Sequence, residues 1–99
     1  MRLTDRQRQI IIAVVRKHFG QNAVVWLFGS RVDDCRQGGD IDILVQPENE
    51  MDKDLFIRKI RALSELKRIL GDRKIDVVVE HKNDTRSIIR KAHSEGMRL

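Results

Sequence analysis

Apolar residues along the chain change period from one segment to the next, and each period names an element. Ile10, Ile11, Val14, Val15 and Phe19 recur with helical spacing. Thr4, followed three residues later by Gln7, makes a capping box, and Gly20 supplies a stop, so the pattern predicts a helix over residues 5–19. The next apolar run, AVVWLF at 23–28, reads as a strand ended by Gly29, with Trp26 expected in the core. The polar stretch SRVDDCRQGG reads as loop, or as a short helical turn followed by loop. A second strand, DIDILV at 40–45, is closed by Pro47. From 52 to 70 an amphipathic pattern returns, with Phe56, Ile60, Leu63, Leu66 and Leu70 as the predicted core face and Gly71 as the stop. KIDVVVE at 74–80 is a third strand. A last helix is expected over 85–95, capped by Asp84 or Asn83 and ended by Gly96. The order αββαβα predicts an α+β fold, a small mixed β-sheet flanked by helices.

Two of these strands contain carboxylates where apolar residues are expected. Residues i and i+2 of a strand share a face, so Asp40 and Asp42 project together, roughly 7 Å apart, while Ile41, Ile43 and Val45 point into the core. The third strand carries Asp76 in the same kind of setting, and if the two strands pair, Asp76 stands beside Asp42. Burying an unpaired carboxylate costs several kcal/mol in round terms, and neighbouring carboxylates repel. Either one of them holds a proton or cations bind. Mg²⁺ suits such a site, because it takes a few carboxylates together with substrate phosphates. Two such ions form the usual clamp for phosphoryl and nucleotidyl transfer. Phosphates also need a seat. Gly29-Ser30 directly follows the first strand, where glycine lets backbone N–H groups approach an oxyanion and serine adds a hydroxyl; Arg31 reads either as a further phosphate contact or as surface charge.

Gly29-Ser30, nine intervening residues, the DID of Asp40 to Asp42 and the later Ile75-Asp76 resemble the nucleotidyltransferase fold of the DNA polymerase beta superfamily, and in particular its minimal nucleotidyltransferases. The resemblance runs over nearly the whole chain, including the ending SIIRKAHSEGMRL. It implies a palm-like sheet, ATP as substrate and Mg²⁺, as two ions, as cofactor. It implies that Gly29 and Ser30 hold phosphates and that Asp40 and Asp42 bind metal. Asp76 would complete the metal site and help deprotonate the attacking hydroxyl. One departure is the pair Gly38-Gly39, where many relatives carry a serine just before the first aspartate. Relatives of this size lack a substrate domain. Many work beside a separately encoded helical partner of the HEPN type, as the antitoxin of a toxin–antitoxin pair that transfers AMP to the toxin. Two rival readings are a non-catalytic antitoxin that neutralises its partner by contact and a transferase acting on a small molecule.

Composition narrows the choice. Ninety-nine residues make one domain, 1–99, with 40% apolar and 35% charged residues, a balance expected of a globular chain. Lys and Arg outnumber Asp and Glu by 20 to 15, a net +5, which favours anionic partners such as nucleotides and makes a cationic drug a poor substrate. With no tyrosine and little aromatic surface, nucleic acid is the less favoured anion. No apolar run approaches a membrane span and no signal sequence stands at the start, so a cytoplasmic protein without membrane contact is expected. Cys35 alone forms no internal disulfide and reads as an incidental loop residue. His18, His81 and His93 share no metal-ligand spacing and read as surface or structural residues. The basic residues of the long helix, and Arg86, Arg90 and Lys91, read mainly as solvated faces, with a docking surface for an acidic partner or RNA as the alternative.

Overall fold

A computed structural model describes residues 3–29, 40–71 and 73–99. Helix α1 (Asp5–Phe19) starts at the expected capping box: the Gln7 backbone N–H donates to Thr4 Oγ1 at 3.1 Å, and the Thr4 N–H donates to Gln7 Oε1 at 3.0 Å. It ends at Gly20, whose N–H donates to the Arg16 carbonyl at 3.0 Å. Strands β1 (Val24–Phe28) and β2 (Ile41–Gln46) pair antiparallel. Helix α2 (Leu55–Leu70) then carries the chain back so that β3 (Ile75–Val79) runs parallel to β2. Helix α3 (Ser87–Glu95) follows, and Met97–Arg98 forms β4 against β1. The sheet order is β3-β2-β1-β4, so the predicted αββαβα gains a final strand. Two residues without alternation give no sequence signal; β4 exists because the outer edge of β1 is there to pair with.

Both sheet faces are covered. Ile41, Ile43 and Val45 meet α1 and α2 through Ile11, Val15 and Leu66, all buried, as the alternation requires. The opposite face is smaller. There Phe28 and Leu44 pack under Ile89 and Ala92 of α3, with Trp26, Val78 and Ile88 half-buried around them. Trp26 therefore belongs to the margin of the second core rather than to its centre. Its indole N–H donates to Gln46 Oε1 at 3.1 Å.

The expected face of α2 needs correction. Leu55, Ala62 and Leu66 are buried, and Leu63 and Leu70 pack partly against the core, but Phe56 is 70% exposed and Ile60 47% exposed. The apolar stripe of this helix is wider than the sheet it covers, and spacing alone does not say which part faces inward. The helix also starts later than residue 52, because Asp52 accepts the Asp54 N–H at 2.7 Å in a preceding turn and pairs with Arg58 at 2.9 Å. At α3, neither Asp84 nor Asn83 serves as the cap: Arg86 holds that position with no side-chain capping bond. Asp84 instead accepts the backbone N–H groups of His81 and Arg86, each at 3.2 Å, and the Arg86 guanidinium at 2.7 Å. The Arg86 contact holds the Asp84 carboxyl well below the usual carboxylate range. No helix among the described residues is long and apolar enough to cross a membrane.

Candidate functional site

The site lies where one end of the α3 face runs out of cover. Register fixes it: Phe28 of β1 stands opposite Asp42 of β2, and Asp42 opposite Asp76 of β3. Alternation turns all three toward α3, but that helix seats on Phe28 and Leu44 and leaves the two carboxylates at an open edge. Asp42 is half-buried and the Asp76 side chain is 54% exposed. The two carboxyl groups are within hydrogen-bonding reach of each other, which requires a shared proton or a bound cation. Burial pushes the Asp42 carboxyl above its ordinary value of 3.8; the contact and charge of Asp76 and the charge of Asp40 add to this, and Lys74 opposes it. The Lys74 ammonium stands 4.0 Å from Asp76.

Gly29 closes the other side of Asp42. Its φ is +74°, a conformation that side chains rarely adopt, and a Cβ there would collide with the Asp42 carboxylate. The turn after β1 therefore lies directly against the β2 carboxylate. Ser30 and Arg31, read as phosphate ligands, fall outside the described residues, as do Cys35, Gly38 and Gly39. Asp40, just before β2, is exposed and acts on Asp42 as a neighbouring negative charge.

The convergence expected of three carboxylates thus takes the form of a contacting pair, Asp42 and Asp76, with Asp40 beside it in charge. Among the described residues no group of three or more acidic, histidine or cysteine side chains is placed to enclose an ion. Such a pair, made of hard oxygen donors and short of positive charge, still suits Mg²⁺, which fills most of its shell with water and phosphate oxygens. The histidines meet the expectation of a structural role in two cases: His18 lies 2.7 Å from Glu65 and His93 lies 2.6 Å from Glu80.

A cleft of about 380 Å³ opens beside the pair, walled by Phe28, Leu63, Val78 and Ile88 and reached by Lys59. Sequence reasoning passed over Lys59 as part of a solvated face. A signal was present: Leu55, Lys59, Ala62 and Leu66 follow one another at helical spacing, so a lysine interrupts the buried face.

Residues 9–99 match the protein family described as Polymerase beta, Nucleotidyltransferase. Among solved structures, a toxin–antitoxin complex with AMP-PNP superposes with a TM-score of 0.71 at 22% identity, over 91% of this chain and 69% of that one. An MntA-HpeT toxin–antitoxin variant, with two aspartates two positions apart changed to glutamate, gives 0.71 at 19% identity, over 93% and 70%. The tri-AMPylated Shewanella oneidensis HEPN toxin in complex with MNT antitoxin gives 0.65 at 21% identity, again over 93% and 70%. No curated protein matches. These likenesses agree with the mixed sheet and three helices described above, and the match over residues 9–99 decides the assignment: the chain belongs to the polymerase beta nucleotidyltransferase family.

Proposed function

We propose that this protein transfers AMP from ATP to a hydroxyl of a separate helical protein, as the antitoxin of a HEPN/MNT-type pair. The observation that carries the reading is the contact of Asp42 with Asp76 at the open end of the sheet, directly against Gly29. Family membership supports nucleotidyl transfer. The structural neighbours, complexes of antitoxin with toxin that include AMP-PNP in one case and an AMPylated toxin in another, support the nucleotide and the partner.

Asp42 and Asp76, with Asp40 next to them, would hold Mg²⁺. When bound, Mg²⁺ supplies the positive charge that the carboxylates and the ATP phosphates both lack. Gly29, followed by Ser30 and Arg31, seats the phosphates on the β1 side. Asp76 accepts the proton of the attacking hydroxyl. A bond forms between the acceptor oxygen and the α-phosphorus, the bond from that phosphorus to the bridging oxygen breaks, and pyrophosphate leaves. With no tyrosine in this chain, tyrosine modification occurs only in trans. A cytoplasmic location, where ATP and Mg²⁺ are both available, fits this reading.

The test is incubation with labelled ATP, Mg²⁺ and the cognate HEPN-type helical partner. Wild type should label that protein and Asp42→Ala should not; equal labelling by both would overturn the catalytic assignment. A contact-only antitoxin is the second reading, favoured by the apolar residues Phe56, Ile57 and Ile60 that α2 leaves exposed. It predicts that Asp42→Ala still neutralises the partner fully.

A further inference from the structure

Two hollows run along the outer side of β3. The cleft beside Asp42 and Asp76 holds about 380 Å³, and a smaller hollow of about 140 Å³ lies between α2 and the chain following β3. Lys59 and Val78 line both, so the two form one groove along the edge strand. No strand of the described residues flanks β3 on that side. The Arg86 guanidinium closes the far end by donating to the Val79 carbonyl at 2.8 Å.

The walls are apolar in the middle, through Leu63, Val78 and Ile88, and basic beyond it, through Lys59, His81 and Arg86. Arg86 is paired with Asp84, and Lys74 at the near end with Asp76. Lys59 differs: it is half-buried, and its ammonium makes no hydrogen bond or ion pair with the described residues. Lys59 shares the cleft with Asp42 and Asp76 but pairs with neither, so once a cation covers those carboxylates its ammonium is left for an anion.

The side of the site on which this groove lies indicates what enters it. Gly29, Asp42, Asp76 and the groove follow one another across the sheet from β1 to the edge of β3. In-line transfer requires the leaving and attacking oxygens on opposite sides of the phosphorus. With the phosphates seated at Gly29, the leaving pyrophosphate belongs on the β1 side and the attacking hydroxyl on the β3 side. Val78, which neighbours Lys59 in both hollows, lies two strand residues, roughly 7 Å, beyond Asp76. Lys59, which lines the cleft of Asp76 and also the hollow beyond it, is therefore placed to hold a group near the acceptor hydroxyl.

We infer that the β3 groove takes an extended, acidic segment of the acceptor protein, with apolar side chains against Val78 and Ile88 and an anionic group near its hydroxyl held by Lys59. The inference rests on the nucleotidyl-transfer reading for the identity of the hydroxyl, but its binding test does not. Strand addition along β3 supplies main-chain bonds, and Lys59 supplies the preference for acidic sequence.

The probe is a dye-labelled nine-residue peptide alternating valine and glutamate around a central tyrosine, compared with its twin carrying glutamine for glutamate. By fluorescence anisotropy, wild type should bind the glutamate peptide about tenfold more tightly, as expected for one charge-assisted pair. Lys59→Gln should erase that preference without weakening the glutamine twin, and Lys59→Arg should keep it; thermal melts of both variants confirm the fold. Equal binding of the twins by wild type, binding of neither at millimolar peptide, or a preference that survives Lys59→Gln overturns the inference. Labelling with ATP and Mg²⁺ is read separately. A glutamate peptide that binds through Lys59 but is never labelled leaves the groove standing and counts against nucleotidyl transfer.

Discussion

Carboxylates stand at both ends of the sheet face that α3 covers, and the chain treats them differently. At one end Glu80 lies 2.6 Å from His93 Nε2 and 3.5 Å from Gln46 Nε2. Gln46 in turn accepts the Trp26 indole N–H at 3.1 Å, and the Trp26 and His93 rings meet edge to face with centroids 5.0 Å apart. Each polar group there is answered by another from the same chain. At the opposite end Asp42 and Asp76 face one another, and the nearby cation, Lys74, lies at 4.0 Å from the more exposed of the two. Burial without compensation is tolerated where a ligand supplies the missing charge. The closed end fastens α3 to the sheet, and the open end is the one that the proposed function assigns to substrate.

The largest expected effect separates the two ends by function. Asp42→Asn should lower AMP transfer by about 10²-fold or more, the usual scale for loss of one preorganised electrostatic group. Glu80→Gln should leave the rate within about threefold. Comparable losses would mean that the Glu80 network belongs to the catalytic apparatus, and the comparison would fall.

Gly29→Ala comes next and reads as stability. Left-handed backbone costs a non-glycine residue about 1–2 kcal/mol, and each kcal/mol lowers Tm by roughly 4–8 °C in a domain of this size. The collision with Asp42 adds to this, so Asp42→Ala should recover part of the loss in the double variant. Simple additivity in a thermal-melt cycle would show that Gly29 does not bear on the carboxylate.

Glu80→Ala should lower stability by about 1 kcal/mol, because it leaves His93 and Gln46 without their shared acceptor in a partly exposed setting. Urea midpoints measure it. An unchanged midpoint would show that the network closes nothing.

The smallest effect has the opposite sign. In EDTA and without nucleotide, Asp42→Asn should melt higher than wild type, by at most about 1 kcal/mol after solvent screening. Its pH dependence follows. The folded state raises the Asp42 carboxyl above 3.8, so between that value and the raised one the folded chain holds a proton that the unfolded chain has released. Stability from this group is present at low pH and is lost as pH rises through that window, and Asp42→Asn should remove this loss. Glu65 and Asp84 run the other way. His18 and then Lys17 lower Glu65, Arg86 lowers Asp84, and what they contribute is present above the ordinary carboxylate range and lost as pH falls. A variant that melts lower than wild type at neutral pH would make Asp42 a structural residue.

Local rules in the sequence determined much of this molecule. A capping box and a glycine stop bound α1 at residues 5 and 19 because both act within a turn of the helix end. Alternation in DIDILV and KIDVVVE determined that the aspartates share a face opposite Ile43 and Val77, and with Gly29 it made the candidate site legible. Pairing decided the rest. Only the parallel register of β2 with β3 sets Asp42 against Asp76 in contact, and only the packing of α3 leaves that contact open while closing the one at Glu80. The inward half of the α2 stripe, the strand at Met97–Arg98 and the place of Lys59 beside β3 depend on surfaces that other segments bring. Periodicity sets which residues of an element share a face; what that face meets is set by elements far away in the chain.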